Sequence, residues 1–316
     1  MASVTIDEIR AAAVRIAPIA RKTPVWTSGS FDRRSGCEVF FKCENLQKGG
    51  AFKIRGASNF LYSMTPEQRA LGVVGFSSGN HAQAVAIAAR KLGVKATLIM
   101  PDDAPKSKLA ATRANGANVI TYDRLKESRE AIGRKISEET GAMLVPPFDH
   151  PWIVAGAGTC ALELLEQAPT LDALVVCLGG GGLLAGSAIA AKALKPSIRI
   201  FGVEPELGND YWLSRREGKP VEIDSPATIA DGLRTTKPGA LTFPIIQELV
   251  EDVLLVTEDE IKETTKFVMT RMKLLVEPSG VVGASAVLHG KLPKELRRIG
   301  VILSGGNVDL EVLATL

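Results

Sequence analysis

Short apolar runs that are typical of strands alternate with helical patterns along most of the 316-residue chain. The strand-like runs lie at 73–76, 96–100, 118–121, 142–145, 174–178, 198–204, 253–256 and 300–303, and helical patterns at 80–92, from about 106, 125–140, 182–194 and 258–272. Strands separated by helices of this length form parallel β-α-β units whose sheets are covered on both faces. The pattern therefore predicts an α/β fold with open, twisted, mostly parallel sheets.

The alternation is interrupted by the proline-rich segment VPPFDHP at 145–151. We interpret this segment as the return from one domain to another. It predicts a small mobile domain at 71–148, inserted into a large domain formed by 1–70 and 149–316. A chain of this length is long enough for two domains with sizeable cores.

Two helix starts are predicted by capping boxes. Thr5 is followed three residues later by Glu8, and Thr257 by Glu260. In this arrangement the threonine hydroxyl and the glutamate carboxylate each bond a backbone N–H of the first helical turn. We therefore expect helices to begin directly after Thr5 and Thr257.

The composition excludes several classes of protein. Apolar residues make up 46% and charged residues 23% of the chain, and the formal net charge is +3, as in ordinary globular proteins. We find no basic run that would indicate nucleic-acid binding and no apolar stretch of the roughly 18 residues that a membrane span needs. Charged residues near the N-terminus argue against a signal peptide, and the four scattered cysteines predict reduced thiols in a cytoplasmic protein.

Lys53 stands in the segment AFKIRGA at 51–57, between Phe52 and Ile54. Apolar neighbours favour desolvation, which lowers the pKa of an amine and allows it to form an imine with an aldehyde. The alternative is a lysine at a helix start that extends its ammonium group to solvent. Which interpretation holds depends on the ligand that the glycine-rich loops bind.

Four consecutive glycines, Gly179, Gly180, Gly181 and Gly182, follow the strand-like run VVCL and open a helix. Backbone amides without side chains, together with the positive end of the helix dipole, form a site for a phosphate. One glycine would be enough for a tight turn. The four together therefore favour a phosphate site.

The same loop also allows a dinucleotide interpretation. Gly180, Gly182 and Ala185 satisfy the pattern G-x-G-x-x-A, and Glu204 ends the next strand about twenty residues later. In a dinucleotide-binding fold that acid would bond a ribose hydroxyl. Taken alone, this segment predicts an NAD-dependent dehydrogenase.

Two further loops follow strand-like runs, at the carboxyl ends where open α/β sheets bind ligands. SSGNH (77–81) offers hydroxyls and amides that suit a carboxylate, and SGGN (304–307) offers a hydroxyl. Either could instead be a capped turn. Pyridoxal 5′-phosphate would account for every loop, since it has an aldehyde for Lys53, a phosphate for the glycines, and polar ring atoms for Asn80 and Ser304. NAD leaves most of these residues without a role.

The motifs FKIRGA, SSGNHAQA, AGAGT, GGGGLLAG, TIADGL, RMKLLVEPSG and SGGN occur in this order in one group of enzymes. The chain resembles the fold-type II pyridoxal-phosphate enzymes, whose fold is like that of the tryptophan synthase β subunit, and within them the serine/threonine dehydratase and serine racemase group. The resemblance runs nearly end to end. It implies a small amino-acid substrate and a homodimer.

The resemblance also implies roles for individual residues. Lys53 would hold the cofactor as an imine and then act as the base on the substrate Cα. Phe52 would pack against the cofactor, and Asn80 would bond its ring hydroxyl. Ser304 would bond the pyridine nitrogen without protonating it. The phosphate would be held by Gly179, Gly180, Gly181, Gly182 and Leu183.

For the substrate, the resemblance implies that the carboxylate is bound by Ser77, Ser78, Asn80 and His81. Ser78 stands where many threonine dehydratases have alanine, and in the racemase branch this serine exchanges a proton on the face opposite the lysine. A divalent-cation site, with Mg²⁺ (or Ca²⁺ or Mn²⁺) as the expected ion, is implied at Glu204, Gly208 and Asp210.

These expectations describe an ammonia-lyase that removes water from L-serine, L-threonine or 3-hydroxyaspartate and yields a 2-keto acid and ammonia. An amino-acid racemase with the same cofactor is the first alternative, and an NAD-dependent dehydrogenase is the second. Arg129, which matches a position of the racemase branch, or Arg234 could pair with a second substrate carboxylate. Ala157 stands where the family commonly has glutamine, and no role is assigned to it.

Overall fold

A computed structural model describes residues 4–77, 79–104, 106–123 and 126–316. In chain order its strands are β1 Val25–Trp26, β2 Glu38–Cys43, β3 Val73–Phe76, β4 Ala96–Pro101, β5 Asn118–Tyr122, β6 Met143–Val145, β7 Ala173–Cys177, β8 Arg199–Pro205, β9 Asp252–Val256 and β10 Arg298–Leu303. The helices are α1 Ile6–Ile16, α2 Gly29–Ser35, α3 Lys53–Ser63, α4 Pro66–Leu71, α5 Asn80–Leu92, α6 Lys106–Ala114, α7 Arg129–Thr140, α8 Pro151–Gln167, α9 Gly182–Leu194, α10 Asp210–Glu217, α11 Thr242–Leu249, α12 Glu258–Phe267, α13 Pro278–Leu288 and α14 Leu310–Ala314. Short 3₁₀ turns lie at Glu44–Leu46, Lys48–Gly50 and Asp231–Leu233.

The described strands form two sheets. The larger has the order β1-β2-β10-β7-β8-β9 and the smaller the order β5-β4-β3-β6. All neighbouring pairs are parallel except β1 and β2, which are antiparallel. The α/β fold with mostly parallel sheets is thus confirmed. The strands of the smaller sheet lie within 71–148, but the boundaries of the two domains stay a prediction.

Most predicted elements agree with the structure to within one or two residues, and both predicted capping boxes are formed. Three differences are found. The helix expected over 125–140 begins at Arg129, because the Ser128 hydroxyl caps it. The helix expected over 258–272 is α-helical only to Phe267 and continues as a π-turn over Val268–Met272. Strands β1 and β2 were not predicted.

Helices on both faces cover the sheets and bring the loops of interest together. Helix α8 packs against α3 and α9, and α3 also packs against α5. Strands β7 and β10 are parallel neighbours, so the glycine loop after β7 and the loop after β10 leave the sheet at the same edge. The first residue of α3 is Lys53.

The four cysteines are free thiols, and three of them are buried. Across the described ranges, no helix combines the length and the apolar character that a membrane crossing requires.

Candidate active site

Lys53 lies partly buried at the start of α3, beside a cavity. Its Nζ donates to the carbonyl oxygen of Pro147 at 2.7 Å and lies 5.1 Å from the centre of the Phe52 ring. Burial lowers the pKa of Lys53 to about 8. About a tenth of this amine is therefore neutral at pH 7 and able to attack an aldehyde, far more than for a lysine with the ordinary pKa. The cavity is lined by Phe52, Lys53, Gly56, Ala57, His81, Pro147, Phe148, Ile153, Ala157, Gly182 and Leu183.

The glycine loop is a cradle that tolerates no side chains at its centre. A Cβ on Gly180 would collide with the Phe148 ring, and a Cβ on Gly181 would collide with the Tyr211 hydroxyl. Gly181 also has φ +88°, a conformation that glycine adopts without strain. Helix α9 begins at Gly182, so its unpaired backbone amides lie at this loop. Nothing in the sequence marked Phe148 or Tyr211 as partners of the loop.

The loop over 77–81 is described except for Ser78, which lies outside the described residues. The Ser77 hydroxyl accepts a bond from the Gly79 N–H at 3.1 Å. His81 is buried, and its Nε2 lies 3.1 Å from the carbonyl oxygen of Val145. Burial and the nearby Lys53 lower the pKa of His81 to about 3. His81 is therefore neutral, with the Nε2 proton donated to Val145, and it brings no positive charge to the loop.

Asn80, the first residue of α5, connects this loop to Glu277 and to the SGGN loop after β10. Its amide nitrogen donates to the Glu277 carboxylate at 2.6 Å, and its amide oxygen accepts a bond from Asn307 at 2.9 Å. Ser304 is buried, and its carbonyl oxygen accepts the N–H of Phe52 at 3.0 Å. The structure therefore brings Lys53, Asn80 and Ser304 into one region, although they are far apart in the sequence.

Three charged side chains beside Asn80 were missed by sequence reasoning. Lys108 donates to Asp231 at 2.7 Å and lies 3.7 Å from the carboxylate of Glu277. Burial raises the pKa of Glu277 to about 7, and Lys108 opposes this shift. Glu277 and Asp231 lie within the motifs RMKLLVEPSG and TIADGL, which could have marked them, whereas nothing in the sequence distinguishes Lys108 from a surface lysine.

The two carboxylates predicted for the cation site are both buried. Glu204 accepts the N–H groups of Tyr211 and Trp212 at 3.1 and 2.8 Å. Asp210 lies beside Glu204 and Thr235, without a well-formed hydrogen bond to either of its oxygens. Burial and the charge of Asp210 raise the pKa of Glu204, and burial raises that of Asp210 to about 7. Gly208 lies in the turn between β8 and α10, and its N–H bonds the carbonyl oxygen of Pro205.

Within the described ranges, no three histidine, cysteine or acidic side chains gather into a possible metal centre. A cation at Glu204 and Asp210 would therefore also need backbone carbonyl oxygens or water. The donor set of two carboxylates and carbonyl oxygens fits Mg²⁺ or Ca²⁺.

The two arginines considered for a second substrate carboxylate have other partners. Arg129 donates to Glu130 at 2.8 Å, is about 42% exposed, and lies over the Phe76 ring. Arg234 donates to the carbonyl oxygen of Thr228 through both Nε and Nη2. Arg129 is the more easily released of the two, because its partner is half exposed.

A family model described as pyridoxal-phosphate dependent enzyme matches residues 16–305. The chain belongs to this family. It is 52% identical over 307 residues to a serine racemase of Schizosaccharomyces pombe, covering 97% of this chain and 95% of that protein. It is also 52% identical over 305 residues to an L-threo-3-hydroxyaspartate ammonia-lyase of a Pseudomonas species, covering 96% of each. The solved structure of maize serine racemase superimposes with a TM-score of 0.96 at 45% identity, covering 99% of this chain and 97% of that one.

The described residues of this pyridoxal-phosphate enzyme fit the cofactor. The centre of the glycine cradle excludes side chains, Lys53 has a lowered pKa, and the cavity between them is lined in part by Phe52 and Ala157. The expected resemblance to the fold-type II dehydratases and racemases is confirmed.

The dinucleotide interpretation of Glu204 is wrong. The match to the pyridoxal-phosphate family includes the glycine loop and the following strand. In addition, the Glu204 carboxylate is fully buried and bonds two backbone N–H groups of α10. It is not exposed to a ribose.

Proposed function

We propose that this enzyme is an ammonia-lyase that converts a β-hydroxy amino acid, either L-serine, L-threonine or 3-hydroxyaspartate, to a 2-keto acid and ammonia. The observation that carries the proposal is the meeting of Lys53, a partly buried amine with a lowered pKa, with the glycine cradle and Ser304. The similarity to ammonia-lyases over nearly the whole chain supports it.

The cofactor supplies an aldehyde that captures amino groups and a ring that draws electrons from Cα. Lys53 would hold that aldehyde until the substrate amine displaces it, and the freed amine of Lys53 would then take the Cα proton. The proton that Lys53 has taken would then pass to the β-hydroxyl, which would leave as water. The released enamine takes up water and gives the keto acid and ammonia.

The chain's polar groups would orient the substrate and the ring for this step. The amides at the start of α5 and the Ser77 hydroxyl would bind the carboxylate, since His81 is neutral. Asn80 would bond the ring hydroxyl, fixed by Glu277 and Asn307. Because the Ser304 hydroxyl is a weak acid, the ring nitrogen would stay largely unprotonated, which favours elimination over reactions that need a strong electron sink.

The attachment of the cofactor can be tested by reduction with borohydride and peptide mapping. We expect the label on Lys53 and none on Lys42, a buried lysine that pairs with Glu163 at 2.6 Å and serves as the matched control. Keto acid would be assayed with all three substrates. A label at another lysine, or no keto acid from any of the three, would overturn the proposal.

Among the three substrates we propose 3-hydroxyaspartate as the best, with Arg129 binding its second carboxylate. Rotation away from Glu130 would free the guanidinium, and the ion pair that is lost is half exposed and weak. Arg129→Met should raise KM for 3-hydroxyaspartate about tenfold, as expected for a lost charge-assisted bond, and leave KM for serine unchanged. Arg134→Met, an exposed position on the same helix, is the control, and equal changes with both substrates would contradict this role.

Racemisation is a second candidate because serine racemases are among the similar proteins. Ser78 would return the proton on the face opposite Lys53. Ser78→Ala should reduce the formation of the other enantiomer more than the formation of keto acid. Equal losses of the two activities would count against Ser78 as the second proton carrier.

We also propose that Glu204 and Asp210, with the carbonyl oxygen of Gly208, bind Mg²⁺ or Ca²⁺. Two buried carboxylates whose pKa values are both raised support a cation between them. The homodimer, the cytoplasmic location and the mobility of the region 71–148 stay predictions.

A further inference from the structure

Tyr211 connects the two carboxylates of the proposed cation site to the glycine loop. It follows Asp210 in the first turn of α10, and its backbone N–H donates to Glu204 at 3.1 Å. Its side chain is fully buried and extends to the loop, where the hydroxyl lies 3.2 Å from the carbonyl oxygen of Gly180. One residue therefore contacts both sites, through its backbone and through its side chain.

A second hydroxyl takes part in this contact. The Thr242 hydroxyl lies 2.7 Å from the Tyr211 hydroxyl and 3.0 Å from the carbonyl oxygen of Gly180. Each hydroxyl has one proton, so one donates to the other and the acceptor donates to Gly180. In one order Tyr211 donates to Gly180 directly, and in the other it donates to the Thr242 hydroxyl that bonds Gly180, so the Tyr211 hydroxyl takes part in orienting this carbonyl in both.

This bond sets the direction of an amide in the glycine loop. The Gly180 carbonyl and the Gly181 N–H belong to one planar trans peptide and point in opposite directions. With the oxygen held by the hydroxyls, the N–H points away from Tyr211. Gly181 is the residue directly before α9, so this amide is one of those that would meet the phosphate.

The two hydroxyls are anchored differently. Thr242 is held by Asp149, whose carboxylate accepts the N–H groups of Leu241 and Thr242 at 3.0 and 3.2 Å. Tyr211 is held at the start of α10 by Glu204, next to Asp210. Only the position of Tyr211 therefore depends on how the two buried carboxylates are arranged.

We infer that Tyr211 couples the cation site to the phosphate loop, so that a divalent cation and the cofactor each raise the affinity of the enzyme for the other. The inference rests on the proposed function, because it needs both ligands. A cation between Glu204 and Asp210 fixes the first turn of α10 and thereby the Tyr211 hydroxyl. Linkage requires that the two affinities change by the same factor.

The test is a titration of the cofactor-free enzyme with pyridoxal phosphate, carried out once in the presence of Mg²⁺ and once in the presence of EDTA. In the wild type Mg²⁺ should lower the Kd for pyridoxal phosphate by about five- to tenfold, the lower part of the usual range of coupling between sites. Tyr211→Phe keeps the ring and the backbone N–H, and in it the change should fall below about twofold. Tyr122→Phe, at a buried tyrosine of β5, is the matched control and should behave like the wild type.

Melting temperatures report the binding of Mg²⁺ itself, independently of its effect on the affinity for the cofactor. Mg²⁺ should raise the Tm of the wild type and of Tyr211→Phe alike, because both keep the carboxylates. Full coupling in Tyr211→Phe would overturn the inference, as would a Tm shift in the wild type without a change in the Kd for pyridoxal phosphate. Failure of the proposed function would look different, because borohydride would then trap no cofactor on Lys53 in any variant.

The reciprocal titration keeps the inference falsifiable if Tyr211→Phe does not fold. In the wild type, saturation with pyridoxal phosphate should lower the Kd for Mg²⁺ by the same factor as Mg²⁺ lowers the Kd for pyridoxal phosphate. If the cofactor leaves the affinity for Mg²⁺ unchanged, the two sites are independent and the inference is wrong.

Discussion

Two groups of buried ionisable side chains in this enzyme differ in whether acidic and basic members occur in equal number. The Arg55 network consists of Lys42, Glu44, Arg55 and Glu163, two cations with two anions. The acid pair consists of Glu204 and Asp210, two carboxyl groups beside each other with no cationic partner among the ion pairs of the described residues. All of these side chains except that of Glu163 are fully buried.

The Arg55 network satisfies its own charges. Arg55 donates to Glu44 and to Glu163 at 2.8 Å, and Lys42 donates to Glu163 at 2.6 Å. Burial alone would raise the pKa of Glu44, but the charge and hydrogen bonds of Arg55 outweigh it, and the pKa is lowered. The network fixes α3, which carries Lys53, against α8. A balanced group of this kind serves as scaffold.

The acid pair does not satisfy its charges with the side chains around it, and the pKa values of both acids are raised. The cost of two adjacent carboxylates is accepted where something else neutralises them. Burial alone therefore does not distinguish the two groups, whereas the absence of a cationic partner among the described residues is what supports the proposed cation site at the acid pair. Substitutions in each group, together with the pH dependence of Lys53, can test this difference.

The largest effect is expected for Arg55→Met. This variant leaves Glu44 and Glu163 without their partner, and removal of one member of a buried pair costs about 3–5 kcal/mol. The free energy of unfolding from urea titration of the holoenzyme is the measurement. A loss below about 1 kcal/mol, the size of a surface pair, would mean that the network is not the scaffold of α3.

Lys53 lies two residues before Arg55 but outside the balanced network, and its pKa is lowered by burial to about 8. The rate at which the cofactor-free enzyme captures pyridoxal phosphate should rise about tenfold per pH unit below pH 8 and level off above it. Free lysine, with its higher pKa, is the control and should continue to rise past pH 8. A rate for the enzyme that follows the profile of free lysine would contradict the lowered pKa.

The lowered pKa of Lys53 also makes the free energy of unfolding depend on pH. In the unfolded chain Lys53 keeps its proton up to the ordinary lysine pKa of 10.5, whereas folded Lys53 releases it at a pKa of about 8. The unfolded state therefore binds more protons between these values, and this group makes the free energy of unfolding rise with pH across that window. Lys53→Met should remove this rise.

The effect of Asp210→Asn on the stability of the protein should change sign between EDTA and Mg²⁺. In EDTA the substitution removes a buried carboxyl group whose ionised form is disfavoured by burial and has no well-formed hydrogen bond, and it should stabilise the protein by about 1–2 kcal/mol, whereas with Mg²⁺ it should destabilise it by a similar amount. Melting curves in both buffers measure this. Destabilisation of equal size in both buffers would show that the acid pair needs no cation.

The smallest effect is expected for Lys22→Met, which breaks the exposed ion pair between Lys22 and Glu166. A surface pair contributes about 0–1 kcal/mol. Measured by the same urea titration, this variant is the control for Arg55→Met, because both remove a cation from a glutamate of α8. Equal losses in the free energy of unfolding for Lys22→Met and Arg55→Met would mean that the buried network contributes no more than a surface pair.

Residues with local signals were predicted from the sequence. The glycine loop and Lys53 stand in short segments whose neighbours already indicate their chemistry. The β3–α5 and β7–α9 units were placed correctly because apolar periodicity and helix starts are local properties. Strand β2 was missed because Glu38 and Lys42 flank an apolar run of only three residues, and the burial of Lys42 depends on distant partners such as Glu163 and Gln167.

The partners of the site residues could not be predicted, since they depend on distant parts of the chain. Lys108 meets Asp231 across 123 residues, and Asn80 meets Glu277 across 197. Tyr211 is an ordinary core residue in the sequence and becomes notable only when the fold brings Gly180 to its hydroxyl. The π-turn at Val268–Met272 continues a helical pattern, and only the backbone geometry distinguishes it.

The position of β10 has a consequence for how the enzyme is made. This strand comes last in the larger sheet by sequence, yet it lies between β2 and β7. During synthesis the two halves of that sheet have no common neighbour until residues near 303 leave the ribosome. The loop that follows β10 completes the surroundings of Lys53 through the bridge between Ala51 and Gly305. Cofactor capture must therefore follow synthesis of β10, and until then the nascent protein holds two unjoined sheet edges that are open to wrong pairing.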